Sequence, residues 1–334
     1  MSPQNSRCSC RFVAAIRSGR NRRSLYFFGL TLLTSSLADG AQTNVVRRVR
    51  EAPLPKFSVS AAAVSSDPLG VSREIWISLR TDNLAGDGTQ ANPFNGSGPR
   101  FDAKLSEMTF TTSASNLIIR LMPGTFETRG YPTWYPLNGW KIRGAGMDIT
   151  TVRLVGASNN VFGVIASPYG IWSGVEVADL TVDCNDSPTN PNGAHAVAIS
   201  GSGGVIRRVK AINGNNPPGE EAFPLGVFGG PGTLTDRCLI EECEVSSFRG
   251  NYCTAIGIGG VGQGFYNSSR MQGVVRRNRV YDVHNRDGRS LCHAYGGAIG
   301  LQDSLYEENY SIGCDIGFNG DTGRMRNLTL RNNR

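Results

Sequence analysis

Val205-Ile206-Arg207-Arg208-Val209 returns, with its charges reversed, as Leu239-Ile240-Glu241-Glu242-Cys243. The pattern comes back as Val274-Val275-Arg276-Arg277-Asn278, as Leu305-Tyr306-Glu307-Glu308-Asn309 and, more loosely, as Asn327-Leu328-Thr329-Leu330. Taking Val209, Cys243, Asn278, Asn309 and Asn332 as equivalent gives spacings of 34, 35, 31 and 23 residues. A short unit recurring at this period marks a stacked array, and its β-rich character points to a β-solenoid rather than helical repeats. The charge reversal from repeat to repeat predicts outward ion pairs between neighbouring strands.

A second strand set is interleaved with the first. It reads Ala196-Val197-Ala198-Ile199, Leu225-Gly226-Val227-Phe228, Ala255-Ile256-Gly257-Ile258, Ala298-Ile299-Gly300-Leu301 and Asp315-Ile316-Gly317-Phe318. Apolar and small residues alternate, as in a strand with one buried face. Each repeat therefore holds at least two strands, and stacking pairs each strand with its equivalent in the next coil. Composition agrees: 42 of 334 residues are Gly and only 18% are charged. No capped apolar-periodic stretch argues for a helical domain.

The net charge of +7 is concentrated at the start of the chain. Arg7, Arg11, Arg17, Arg20, Arg22 and Arg23 lie in a stretch without acids, and the rest of the chain carries about +1. That balance removes the compositional case for a nucleic-acid partner. The arginines precede the apolar run Leu25-Tyr26-Phe27-Phe28-Gly29-Leu30-Thr31-Leu32-Leu33 and the small-residue site Ser36-Leu37-Ala38. This order predicts a secretory signal peptide over 1–38, with a run too short to span a bilayer comfortably. Cleavage is expected after Ala38, giving a secreted or cell-surface protein with no stable membrane span. Residues 39–72 lack periodicity and read as a disordered linker. The domain is expected over 73–334, opening with a strand at Glu74-Ile75-Trp76-Ile77-Ser78-Leu79 and an amphipathic capping helix within 101–108. The last residues stop inside a coil, which is consistent with further coils beyond them.

Three motifs in the opening region carry a resemblance. They are Gly86-Asp87-Gly88-Thr89-Gln90-Ala91-Asn92-Pro93-Phe94, then Ile118-Ile119-Arg120-Leu121-Met122-Pro123-Gly124-Thr125-Phe126, then Trp140-Lys141-Ile142-Arg143-Gly144-Ala145-Gly146. Residues 74–334 resemble the pectin-lyase-like (pectate lyase superfamily) proteins. The resemblance implies an all-β, right-handed parallel β-helix with a short N-terminal capping helix. It also implies an inward asparagine ladder at Asn278, Asn309 and Asn332, partial because Leu180, Val209 and Cys243 hold the earlier rungs. The catalytic patterns of polygalacturonases and pectate lyases are absent, so no catalytic residue carries over.

Candidate site residues follow from loop placement. Stacked coils bring the variable segments that precede the second strand set side by side. These segments are 183–195, 213–223, 246–253 and 282–295. Asp183, Asp186, Glu220 and Glu221 are candidate catalytic acids, with Arg249 and His293 as candidate proton-transfer groups. Tyr252, Arg289 and Tyr295 are candidate substrate contacts, and His195, His284, Asp287 lie in the same loops. Acids, bases and aromatics in one groove suit an extracellular, acidic polysaccharide. Two carboxylates about 5–9.5 Å apart could hydrolyse a glycosidic bond. Acids could instead hold Ca²⁺ against a uronate while Arg or His takes a proton, as in a lyase. A non-catalytic surface or glycan-binding solenoid is the alternative, since fold does not fix function.

Six cysteines lie beyond the leader, and the spacings give no zinc signature. An even number in an exported chain allows disulfides. Cys253 and Cys292, in neighbouring coils, are the best-placed pair.

Overall fold

The computed structural model describes residues 73–112, 114–156, 163–168, 173–186, 195–215, 221–229, 234–250, 252–260, 270–285, 292–297, 300–320 and 325–334. The expected signal peptide and linker lie outside them, as do Glu220 and Arg289. All strand pairings between the described coils are parallel, in a 15-stranded and a 7-stranded sheet. The chain winds as a right-handed parallel β-helix.

The large sheet shows why the first repeat is legible. Ile75, Ile119, Ile142, Val177, Ile206, Ile240, Val275 and Tyr306 stand one above another in continuous register. Every member is buried, so one column of branched and aromatic side chains runs the length of the core. Beside it, Arg207, Glu241, Arg276, Glu307 and Arg331 form a second register column on the outer face. Glu241 pairs with Arg276 at 2.8 Å and with Arg277 at 3.2 Å, so the charge alternation is an inter-coil ladder.

Five successive coils bend just after this column at a single left-handed residue. Asp179, Arg208, Glu242, Arg277 and Glu308 have φ of 60°, 48°, 56°, 53° and 55°. The bend splits the coil's large-sheet portion into two segments, for example Leu234–Glu241 and Glu244–Gly250. A coil therefore has three strand segments, one more than the two-strand minimum read from sequence. The residue after the bend points inward, which places Leu180, Val209, Cys243, Asn278 and Asn309 on the ladder. The last rung is Asn333, one residue later than expected: its Oδ1 accepts from Asn309 N at 3.0 Å and Nδ2 at 2.9 Å. Asn332 instead takes the left-handed bend, at φ 53°.

The second sheet contains Gly163–Ala166, His195–Ser200, Leu225–Gly229, Tyr252–Gly260, Cys292–Gly297 and Ile316–Gly320. Its fifth strand corrects the sequence reading, which put that strand at 298–301. Tyr295 is the residue in register with Ile256, and Leu301 makes only an isolated bridge with Met271. The segment 246–253, expected as a loop, is mostly strand, since Glu244–Gly250 pairs with Arg279–Asn285.

The helix Arg100–Ser106 buries Phe101, Asp102 and Leu105. Asp102 accepts from Thr128 Oγ1 at 2.5 Å and Trp134 Nε1 at 3.0 Å, so its buried carboxylate is satisfied. Phe101 packs edge-on against Trp134, joining the helix to the core.

Candidate functional site

The outer face of the second sheet is built mostly from very small residues. Ile165, Val197, Leu225, Ile256 and Tyr295 stack inward in register. Strand alternation turns the next column outward: Ala166, Ala198, Gly226, Gly257, Gly296 and Asn319. Ala166 and Ala198 form an apolar cluster with Phe228, Phe223 and Tyr131, separate from the core. The glycines are required by close approach. A Cβ on Gly226 would lie 2.5 Å from the Phe228 ring, and one on Gly296 would lie 2.6 Å from Thr254 Cγ2.

A shallow cleft runs across this face between Phe223, Phe228, Thr254, Gly257, Gly296 and Asn319. Its interior has room for about 10 Å³, close to one water, so a ligand would lie across it rather than sink into it. Two histidines border it. The His195 ring is 5.9 Å from Phe223 and 6.2 Å from Phe228. Its Nδ1 accepts the Phe223 N–H at 2.8 Å, which puts the proton of the neutral ring on Nε2. Burial lowers its pKa to about 4, so it is uncharged at neutral pH. His293 is buried and in register with Thr254, its Nδ1 3.5 Å from Thr254 Oγ1.

The residues expected from sequence are placed less uniformly. Asp183 ends a large-sheet strand and is buried. It accepts from Arg153 Nε at 2.8 Å, Asn185 N–H at 2.8 Å and Asn213 Nδ2 at 3.0 Å, so its acceptor capacity is largely filled. Asp186 is exposed, and its N–H donates to Asn213 O at 2.7 Å. Glu221 starts the short strand Glu221–Ala222, in register with Tyr252 and Cys253 of the second sheet. That puts its backbone two residues from Phe223, at the border of the cleft.

Arg249 lies on the large sheet and bonds Asp282 Oδ2 at 3.0 Å. Asp282 Oδ1 is 2.9 Å from His284 Nε2, and Asp315 Oδ1 is 3.4 Å from His284 Nδ1. Asp315 Oδ2 also accepts the N–H groups of Asn285 and Cys292, so this cluster ties the edges of the two sheets together. Tyr295 corrects its expected role. It points into the core, its hydroxyl 2.7 Å from Tyr310 O and 2.9 Å from Asn278 O. Among the described residues the acids are not crowded into one groove, and no cluster of three or more His, Cys, Asp or Glu is placed to hold a metal ion. The cleft residues Phe223, Phe228, Thr254 and Asn319 carry only a weak sequence signal, the small-residue alternation of the second strand set.

No protein-family model and no curated protein matches the sequence. Among solved structures, the chain is similar to the A-module of mannuronan C-5 epimerase AlgE4 from Azotobacter vinelandii. The identity is 15% and the TM-score 0.33, over 77% of this chain and 76% of that one. The AlgE6 A-module from the same organism gives 12% and 0.30, over 70% and 89%. Pectin methylesterase PemA from Erwinia chrysanthemi gives 10% and 0.31, over 78% and 94%. The parallel register, the left-handed bend and the asparagine rungs decide the architecture. It is a right-handed parallel β-helix. At this distance the similarities say nothing of this chain's chemistry.

Proposed function

We propose that this chain is an exported polysaccharide-active protein that lays a glycan across the outer face of its second sheet. The observation that carries the reading is the cleft itself. Its floor is Gly257 and Gly296, continuing to Asn319 over two strand steps of about 4.8 Å, roughly 10 Å in all. The partly exposed Phe223 ring, packed on the buried Phe228, offers a face for the apolar side of a sugar. Thr254 and Asn319, both in the lining, are the polar groups placed to orient a ligand. A shallow, aromatic-edged surface suits a polymer laid across it better than a small metabolite.

A catalytic version is favoured by the position of Glu221 at the cleft border, with Asp186 and Arg249 nearer the large sheet. In that version Glu221 and His293 would move protons during cleavage of an acidic polysaccharide, as a lyase or glycoside hydrolase, with Tyr252 and Arg289 contacting substrate. Export would follow from residues 1–38 acting as a signal peptide. No helix among the described residues is long and apolar enough to cross a membrane.

The test is a panel of neutral and uronate polysaccharides, scored by calorimetric binding and by release of reducing ends or unsaturated products. Binding to at least one polymer supports the reading, and product release supports its catalytic version. Absence of both across the panel contradicts it.

A further inference from the structure

We propose that Cys253 and Cys292 are a site of oxidative modification, closing a disulfide that staples two adjacent coils beside the cleft. The two residues are direct register partners in parallel strands. Such strands lie about 4.8 Å apart, within the roughly 4.4–6.8 Å Cα separation that a disulfide spans. Both side chains face the core and share its apolar cluster. Among the described strand pairings no other two cysteines are register partners, while Cys184 and Cys314 lie near enough to raise the Cys253 pKa. Cys238 faces Gly273, Cys314 faces Val283, and the rung above Cys243 is Asn278. All these cysteines are thiols in this structure.

The two sulfurs already interact. In the closed coil their contact raises the Cys253 pKa and lowers that of Cys292. With a small disulfide such as oxidised glutathione, the Cys292 thiolate attacks one sulfur, forming a mixed disulfide and releasing one glutathione thiolate. Cys253 then loses its proton and attacks the Cys292 sulfur, releasing the second glutathione. The chain loses two protons and two electrons, and the oxidant is reduced to two thiols. Both sulfurs are covered in the folded coil, so the reaction proceeds while coils assemble or open. The bond would fix the strands one residue before Thr254 and His293. The proposal does not depend on what the cleft binds.

The experiment refolds the full chain in a glutathione redox buffer and blocks remaining thiols with an alkylating agent. Intact mass and peptide mapping then read the product. The expected result is one disulfide joining the Cys253 and Cys292 peptides, lost in both C253S and C292S. A melting midpoint higher by about 5–10 °C than in the reduced chain should accompany it. Full alkylation of both cysteines, or a disulfide joining any other pair, would overturn the proposal.

Discussion

Asn309 shows how much one side chain can be asked to do. It is 1% exposed and accepts from both the N–H and the Nδ2 of Asn278. It also donates to Val275 O and Asn333 Oδ1 at 2.9 Å each. Asn309→Leu keeps the branch at Cγ and removes all four bonds, leaving buried donors and acceptors on both neighbouring coils. We expect a loss of about 1–3 kcal/mol, read as a lower urea midpoint at unchanged slope. An unaltered midpoint would refute the rung. His195 makes a second residue-scale prediction. Its ordinary pKa of 6.5 falls to about 4 in the fold. Between those values the unfolded chain takes up a proton that the folded chain refuses. Stability from this group is therefore fully present above pH 6.5 and is lost as pH falls towards 4. The loss should reach about 3 kcal/mol, and His195→Gln should abolish that component. Parallel stability profiles for the two proteins check it.

The left-handed bend is the element that makes each coil turn. Charged residues, not glycines, hold it in five successive coils, so the fold tolerates their strain in return for inter-coil pairing. Arg208 bonds Asp179 at 2.5 Å, and Arg277 bonds Glu242 at 2.9 Å. Glu308 has the same φ of 55° and is exposed. Glu308→Gly should then raise stability by up to about 1 kcal/mol, whereas Glu308→Val should lower it by about 1–2 kcal/mol. Thermal melts of both variants settle the sign. This bend also explains where the sequence was hard to read. Asn332 and Asn333 are identical neighbours, and only backbone geometry tells which one turns and which one points inward. The strand Cys292–Gly297 was missed because it starts with polar and thiol side chains. Ala298-Ile299-Gly300-Leu301 nearby imitates the alternation better. The large-sheet strands were legible because their inward column is branched or aromatic and their outward column is charged.

At the scale of the whole molecule, stacking converts small local choices into a continuous surface. The architecture could be read from the repeat period and opening motifs, but the candidate site could not. Its floor consists of missing side chains, Gly257 and Gly296, and its walls are residues that look like ordinary strand composition. The loops drew the sequence reading because they are rich in acids. Yet Asp183 is held by Arg153, Asn185 and Asn213, and Arg249 is held by Asp282. The proposed ligand, a glycan, lies across the second sheet's outer face. The direct measurement is calorimetric titration of the best-binding polysaccharide into wild type, Phe223→Ala and Asn319→Ala, each checked for an unchanged melt. Each substitution is expected to weaken binding about tenfold or more, a loss of about 1.4 kcal/mol. Wild-type affinity in both folded variants would contradict it.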